Sequence, residues 1–283
     1  MFSTGGFNSS IEQNARLELP MALTYSNYLK LDELLDLQQP QSQGKAHDEM
    51  LFIVIHQTYE LWFKEVLHEI DCLARHMEVR ESAQAQSTLK RLLAIFKVLV
   101  SQMDILETMS SAQFLAFRDL LGTASGFQSA QFRELEFAFG NKRREVLDAF
   151  PEGSYPRLRL QRRFEGPTLW DSFLHFLSQR NYAVPAHLLN RDFSRPVAPS
   201  KQVQAALLQV YAKEPDLANL CELLLDLDEG VQEWRYRHVK MVERIIGSKY
   251  GTGGSSGVDY LRSTLFNPSF PDLWEIRTQF GKQ

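Results

Sequence analysis

The amino-acid sequence predicts an all-α protein, on three observations. Apolar residues recur at the three-and-four spacing of a helix face through nearly every patterned segment of the 283 residues. No segment shows the sustained alternation of a β-strand. The two longest patterns, His47–Met77 and Pro215–Ile246, would each run about 45–48 Å at 1.5 Å per residue, a length typical of core helices in a bundle. We therefore expect a single-domain helical bundle with long core helices.

Eight segments carry the helical pattern. In chain order they are Leu31–Gln38, His47–Met77, Gln84–Met109, Ala112–Leu121, Ala130–Phe139, Leu169–Tyr182, Val203–Ala212 and Pro215–Ile246. The last has marked ends, because Pro215 stands at a first-turn position that suits proline and Gly247 follows the last patterned residue. No linker rich in proline and serine separates the segments, so one domain is expected over residues 21–283. Residues 1–20 are polar and weakly patterned, which predicts an N-terminal arm.

Composition narrows the class of protein. The 31 basic and 35 acidic residues give a net charge of −4, and the basic runs are short, so neither a nucleic-acid nor a membrane surface is expected. Cys72 and Cys221 are the only cysteines and have no second cysteine nearby, which favours a reducing compartment and argues against zinc or iron–sulfur ligation. No apolar run has the length of a signal peptide or a membrane span. We expect a cytoplasmic protein.

Each of the two long patterns places one histidine on the face assigned to the core. The first stripe contains Phe52, Ile55, His56, Tyr59, Phe63, Val66, Ile70, Leu73 and Met77, with His68 on the opposite side. The second contains Leu217, Leu220, Leu224, Leu227, Val231, Trp234, His238, Met241 and Ile245. An imidazole in such surroundings must be hydrogen-bonded, be protonated at a cost, or bind a metal, because an unpaired buried polar group costs a few kcal/mol. A satisfied core histidine is the commoner outcome, so the pattern leaves the roles of His56 and His238 open.

Several site chemistries can be weighed on these residues. Glu65 and His68 form half of a di-iron motif, but no second Glu-x-x-His exists. No G-x-S-x-G sequence marks a serine hydrolase. A haem remains possible, because its iron can be held by one imidazole, from His238 or His56. Arg118 follows an aromatic helix face and could clamp a carboxylate, although an ion pair with a neighbouring acid such as Asp119 is the commoner use of such a residue.

The segment Gly247–Gly257 contains five glycines in eleven residues. It is either a flexible connection after the last long helix or a mobile lid whose backbone can approach a ligand closely.

Five sequence blocks together resemble one family. They are TYSNYLKLDELLDLQ (24–38), HDEMLFIVIHQTYELWFKEVLHEID (47–71), FRDLLGTASGFQSAQFRELE (117–136), EWRYRHVKMVERIIG (233–247) and GTGGSSGVDYL (251–261). In this order they resemble tryptophan 2,3-dioxygenase of the bacterial type, and the likeness runs from Leu19 onward. The resemblance implies an all-helical enzyme that uses haem b with ferrous iron, and a homotetramer. It also implies that O₂ is inserted across the indole C2–C3 bond of L-tryptophan to give N-formylkynurenine, the first step of the kynurenine route.

The resemblance also assigns residues to roles. His238 would be the iron ligand, and His56 the catalytic residue that hydrogen-bonds the indole N–H. Arg118 would bind the substrate carboxylate, and Thr252 would contact both its carboxylate and its ammonium group. The remaining positions are Phe52 and Leu121 in the wall of the indole pocket, Ser125 and Gly126 beside the haem, and Tyr25, Tyr28 and Leu29 supplied by a neighbouring subunit.

One position departs from the family pattern. Some bacterial members carry a tyrosine where this chain has Phe114, and the tyrosine hydroxyl reaches the substrate carboxylate. Recognition of the carboxylate should therefore depend more heavily on Arg118. Two other functions stay open at this point: a related haem dioxygenase acting on another indoleamine, and a non-catalytic helical protein that associates with other chains.

Overall fold

Helices provide all of the regular secondary structure in the computed structural model, which describes residues 22–247 and 258–281. No strand occurs among these residues, and the all-α prediction is confirmed. The chain divides into two units, Met1–Gln39 and Pro40–Gln283. The boundary expected after residue 20 stays a prediction. No helix in the described part of the chain is long and apolar enough to cross a bilayer.

The first unit contains two short helices, α1 (Tyr25–Leu29) and α2 (Leu31–Leu35). The hydroxyl of Thr24 accepts a hydrogen bond from the backbone N–H of Asn27, and the Asn27 side chain accepts one from the N–H of Thr24, so the start of α1 is capped in both directions. Lys30 separates the two helices in the left-handed conformation, with φ 54°. Helix α2 ends three residues before the predicted end at Gln38.

The second unit holds the remaining helices. They are α3 (Asp48–Glu78), α4 (Ser82–Leu106), α5 (Ser111–Arg118), α6 (Ala130–Ala138), α7 (Glu145–Asp148), α8 (Tyr155–Glu165), α9 (Leu169–Gln179), α10 (Ala186–Leu189), α11 (Lys201–Lys213), α12 (Pro215–Ile246), α13 (Val258–Ser263) and α14 (Pro271–Glu275). Three 3₁₀ helices, Asp119–Leu121, Gly126–Gln128 and Ile276–Gln279, complete the set for the described residues.

Three long helices form the centre of the second unit. Helix α4 packs against both α3 and α12, α6 and α9 cover α3, and α11 covers α12. Leu73, Leu99 and Leu224, one on each central helix, are fully buried. Helix α5 touches both α3 and α12. The two helices that carry the candidate histidines are thus held against one shared partner, and α5 spans them.

The predicted helices match the observed ones with shifts at their ends. Helix α12 has the predicted bounds, and α3 differs by one residue at each end. The segment expected as one helix over Ala112–Leu121 ends its α-helical part at Arg118 and continues as a 3₁₀ turn. Helix α4 begins two residues early and ends three early, and α9 ends at Gln179 instead of Tyr182.

Candidate active site

His56 lies in the third turn of α3, and one hydrogen bond fixes its ring. Its Nδ1 lies 2.7 Å from the carbonyl oxygen of Phe52, one turn earlier. A carbonyl oxygen can only accept, so the ring proton sits on Nδ1 and Nε2 keeps its lone pair. Burial lowers the pKa of His56, while the Phe52 hydrogen bond and the charge of Glu60 act in the opposite direction. His56 is therefore a neutral ring that can accept a hydrogen bond at Nε2.

His56 lies on the exposed edge of α3, although the sequence placed it on the core face. Part of its side chain is accessible to solvent, although its neighbours Ile55 and Tyr59 are buried. Burial nevertheless dominates its pKa, because protein atoms surround the ring closely. His68, on the other side of α3, is exposed as predicted.

His238 is the partner imidazole on α12. Its pKa is lowered to about 4, first by burial and then by electrostatic interaction with His56, Arg133 and Arg235. The ring is therefore neutral near pH 7. His56 and His238 stand on α3 and α12, the two helices that pack against α4. No hydrogen bond joins the His238 ring to another described residue, so no protein group seen here occupies its lone pair.

Trp234 fixes the plane of the His238 ring. Their ring centroids are 5.3 Å apart and their planes differ by 8°. The indole is itself held edge-on by Tyr59 at 6.2 Å and Phe63 at 5.9 Å, and Phe132 lies 4.9 Å away. The sequence placed Trp234 in the apolar stripe of α12 but did not predict this stacking.

An aromatic wall extends from His56 to α5. The Phe52 ring lies 4.0 Å from the His56 ring, 5.8 Å from Phe114 and 5.4 Å from Phe117, measured between centroids. Phe114 is 9% exposed and Phe117 is buried. The structure thus brings together Phe52, His56 and the helix that ends in Arg118.

The other candidate residues of the second unit come directly after Phe117 in the sequence. Arg118 is the last residue of α5 and is partly buried, and Leu121 ends the next 3₁₀ turn, packed against the core. Ser125 caps the turn that begins at Gly126, and its hydroxyl accepts a hydrogen bond from the N–H of Phe127 at 3.3 Å. The guanidinium of Arg133 lies 5.1 Å from the centroid of the Phe127 ring.

A buried charge cluster lies next to His238, and it was not predicted. The carboxylate of Glu136, 2% exposed, contacts Arg133 at 2.5 Å, Arg143 at 2.8 Å and Arg235 at 3.2 Å. Burial raises the pKa of Glu136, but the three guanidinium groups outweigh it and the net shift is downward. The pair with Arg235 joins α6 to α12 over 99 residues of sequence, a separation that no sequence spacing could reveal, whereas Arg133 and Arg143 are only three and seven residues from Glu136.

These charges and His238 line one small cavity. Its walls are Phe132, Arg133, Glu136, Trp234, Arg235, His238, Val239, Leu261 and Thr264. The donor chemistry suits a haem iron, because His238 is a neutral imidazole with a fixed ring plane and no hydrogen-bond partner among the described residues, and aromatic side chains are adjacent. No group of three or more histidine, cysteine or acidic side chains in the described part of the chain could hold a metal ion by itself. Haem iron needs only one protein ligand.

Four of the candidate residues lie elsewhere. Thr252 belongs to residues 248–257, outside the described part of the chain, as does nearly all of the glycine-rich segment. Tyr25, Tyr28 and Leu29 form part of α1 in the first unit, with side chains 76%, 68% and 41% exposed.

Comparison with known proteins identifies relatives over most of the chain. The family model described as tryptophan 2,3-dioxygenase matches residues 10–151 and 172–280. A protein named tryptophan 2,3-dioxygenase from Herpetosiphon aurantiacus is 54% identical over 92% of this chain and 99% of its own. Proteins of the same name from Anaeromyxobacter sp. (strain K) and Caulobacter vibrioides are 52% and 46% identical, over 90% and 91% of this chain and 96% and 98% of theirs.

Proposed function

The chain belongs to the tryptophan 2,3-dioxygenase family, and from that premise we propose how its residues divide the work of the reaction. The enzyme is a haem-dependent dioxygenase that converts L-tryptophan and O₂ to N-formylkynurenine, the first step of tryptophan catabolism by the kynurenine route. The single observation that carries the assignment of roles is the pair of neutral imidazoles on α3 and α12.

We propose that His238 is the protein ligand of a haem b iron in its ferrous form. Bound haem supplies the redox chemistry. A low pKa keeps the His238 ring unprotonated, so its lone pair is available across the physiological pH range. Stacking on Trp234 holds the ring in one orientation, which reduces the freedom lost when the ring becomes a ligand.

His56 is proposed to orient the indole. With the proton of Nδ1 donated to Phe52, Nε2 can accept the indole N–H. The same tautomer makes His56 a poor proton donor at Nε2, so its role is to position the substrate. Phe52, packed against the imidazole, would contact the indole face, and Leu121 would close the pocket on the α5 side.

The remaining substrate contacts rest mainly on the family resemblance. Arg118 presents a planar fork that suits a carboxylate, and its position after the aromatic wall places it at the α5 side of the site. Thr252 would contact the ammonium and carboxylate groups, and Ser125 and Gly126 would lie beside the haem. Phe114, which packs against Phe52, lacks the hydroxyl that some members use here.

We further propose a homotetramer in which α1 of one subunit completes the site of another. Tyr25, Tyr28 and Leu29 expose apolar side chains on one short helix, and covering them would remove apolar area from water. Both cysteines are free thiols, which is consistent with the proposed cytoplasmic location.

The test is turnover by the haem-loaded protein under controlled reduction. The reduced protein, mixed with L-tryptophan and then O₂, should yield N-formylkynurenine detectable by mass spectrometry. His238→Ala should lose bound haem and turnover while keeping its helix content by circular dichroism, whereas the exposed control His68→Ala should keep both. Full turnover by His238→Ala with a histidine-ligated haem spectrum would refute the ligand assignment.

A further inference from the structure

A cysteine, a histidine and a glutamate form a hydrogen-bonded chain at the end of α3, away from the active site. The thiol of Cys72 lies 3.2 Å from Nε2 of His76, and Nδ1 of His76 lies 2.7 Å from Oε2 of Glu81. Because a carboxylate accepts and cannot donate when ionised, the ring proton sits on Nδ1, and Nε2 offers its lone pair to the thiol. This order of nucleophile, base and orienting carboxylate is the arrangement that activates cysteine nucleophiles.

The local fold holds the three side chains in place. Cys72 and His76 are one helical turn apart on α3. Glu81 lies in the turn before α4, and its backbone N–H donates to the carbonyl of His76 at 2.8 Å. The side chains of His76 and Glu81 are 24% and 47% exposed, and Cys72 is partly exposed, so the three residues lie at the protein surface.

The surroundings of the two cysteines differ. Arg91 on α4 interacts electrostatically with the Cys72 thiol, and its Nη1 lies 2.7 Å from Glu69. Cys221 is the internal contrast. It is fully buried in the core and burial raises the pKa of its thiol, so it should be inert.

We propose that Cys72 is a nucleophilic thiol that exchanges with small-molecule disulfides, with His76 as its base and Glu81 as the residue that positions the base. The sulfur of Cys72 attacks one sulfur of the disulfide as its proton moves to Nε2 of His76. The S–S bond of the small molecule breaks, a mixed disulfide forms on Cys72, and the departing thiolate takes the proton from His76. Electrons balance without another oxidant, because the disulfide itself is reduced.

The site is separate from the proposed haem site. Cys72 lies sixteen residues after His56 on the same straight helix, a distance of about 24 Å at 1.5 Å per residue. The proposal does not depend on the assigned reaction, and failure of either can be recognised independently of the other.

The experiment measures the rate at which oxidised glutathione modifies the haem-loaded protein at pH 7, by intact-mass and peptide mass spectrometry. The same chain unfolded in urea supplies the rate for cysteines without neighbours. Native Cys72 should react at least about tenfold faster than the unfolded reference, and Cys221 should not react in the folded protein. His76→Gln should lower the Cys72 rate by about tenfold or more, and Glu81→Gln should lower it by a smaller factor. Circular dichroism of each variant checks that α3 and α4 remain folded.

Two results would overturn the proposal. One is a native Cys72 that reacts no faster than the unfolded chain. The other is an unchanged rate in His76→Gln, which would mean that the three side chains only stabilise the turn between α3 and α4. If His76→Gln fails to fold, Glu81→Gln decides the question in its place, because it leaves the Cys72–His76 contact intact and removes only the charge that orients the ring.

Discussion

At the scale of single residues, the site depends on where one proton sits. The Phe52 carbonyl assigns the proton of His56 to Nδ1, and this leaves an acceptor directed away from the helix backbone. Burial and neighbouring positive charge keep His238 unprotonated. The two rings therefore offer lone pairs, one suited to a metal and one to an N–H group.

Arg118 provides the first prediction at this scale. Loss of a charge-assisted hydrogen bond to a carboxylate costs roughly 1.5–3 kcal/mol, about ten- to more than a hundredfold in affinity. Arg118→Ala should therefore raise the KM for L-tryptophan by at least about tenfold. Turnover of tryptamine, which has no carboxylate, should not suffer the same loss. Steady-state kinetics with both compounds provide the measurement.

A matched variant sharpens this comparison. Phe114→Tyr would add a hydroxyl one turn before Arg118, at a position already packed against Phe52. We expect it to lower the KM for L-tryptophan without changing that for tryptamine. Equal losses for both compounds in Arg118→Ala would show instead that the guanidinium is needed for folding.

Residue patterns revealed part of this site and missed the rest. The apolar stripes located His56 and His238, and the family resemblance supplied roles for Arg118 and Thr252. The stacking of Trp234 on His238 could not be seen, because an apolar position in a stripe has the same spacing whether its ring packs on a leucine or on an imidazole. The role of Glu136 was also missed, since its link to α12 depends on Arg235, 99 residues away in the sequence.

At the scale of elements, α8 shows how a helix can form without an apolar stripe. Its sequence, YPRLRLQRRFE, contains four arginines, and only Leu160 and Phe164 are buried. Its end is held by Lys142, whose Nζ donates to the carbonyls of Arg163, Phe164 and Gly166 at 2.6, 2.9 and 2.9 Å. These are carbonyls that the helix itself cannot satisfy.

Replacing this lysine gives a stability prediction. Lys142 is 6% exposed, so Lys142→Met would leave three carbonyls near the end of α8 without their donor. We expect the free energy of unfolding to fall by about 2–4 kcal/mol, measured by urea denaturation. Lys97→Met, an exposed lysine on α4, should change it by less than about 0.5 kcal/mol. A similar small change for both variants would show that water replaces the ammonium group.

The sequence predicted the helices that are long enough to show an apolar stripe. Helix α12 combines a long apolar stripe with proline at its first turn and Gly247 after its last residue, where φ is 61°. Helices α1, α7, α10 and α14 have four or five residues, too few for a 3.6-residue period to appear. Helix α8 was missed because it buries only Leu160 and Phe164, too few apolar residues to form a stripe.

At the scale of the whole molecule, the neutral His238 makes stability depend on pH. Its pKa of about 4 in the folded protein lies below the roughly 6.5 of an unfolded histidine. The unfolded chain therefore binds the proton first as pH falls, and the folded state loses stability between about pH 6.5 and pH 4.

This dependence can be measured on protein prepared without haem. Its free energy of unfolding should fall by about 1–3 kcal/mol from pH 6.5 to pH 4.5, and His238→Gln should flatten that slope. His68→Gln, exposed on α3, serves as the control and should retain it. Parallel slopes for the two variants would contradict a neutral buried imidazole at position 238.

Assembly gives the last prediction. If α1 of one subunit completes a neighbouring site, a Tyr25→Ala, Tyr28→Ala double variant and a His238→Ala variant should each be inactive alone. Mixing them under conditions that allow subunits to exchange should restore part of the turnover, since a hybrid can combine an intact α1 with an intact haem site. Proven exchange without any recovery would mean that α1 serves its own chain.

Helix α4 contributes none of the proposed catalytic residues, yet it touches both helices that carry the imidazoles. Helix α4 therefore acts as a spacer between α3 and α12. The thickness of the side-chain layers on its two sides sets the distance between His56 and His238. Phe96 of α4, for example, lies against Gly230 of α12. A Cβ added at Gly230 would lie 3.6 Å from the Cβ of Phe96. Larger or smaller side chains on α4 should therefore widen or narrow the gap between His56 and His238 without any change to the candidate site residues themselves.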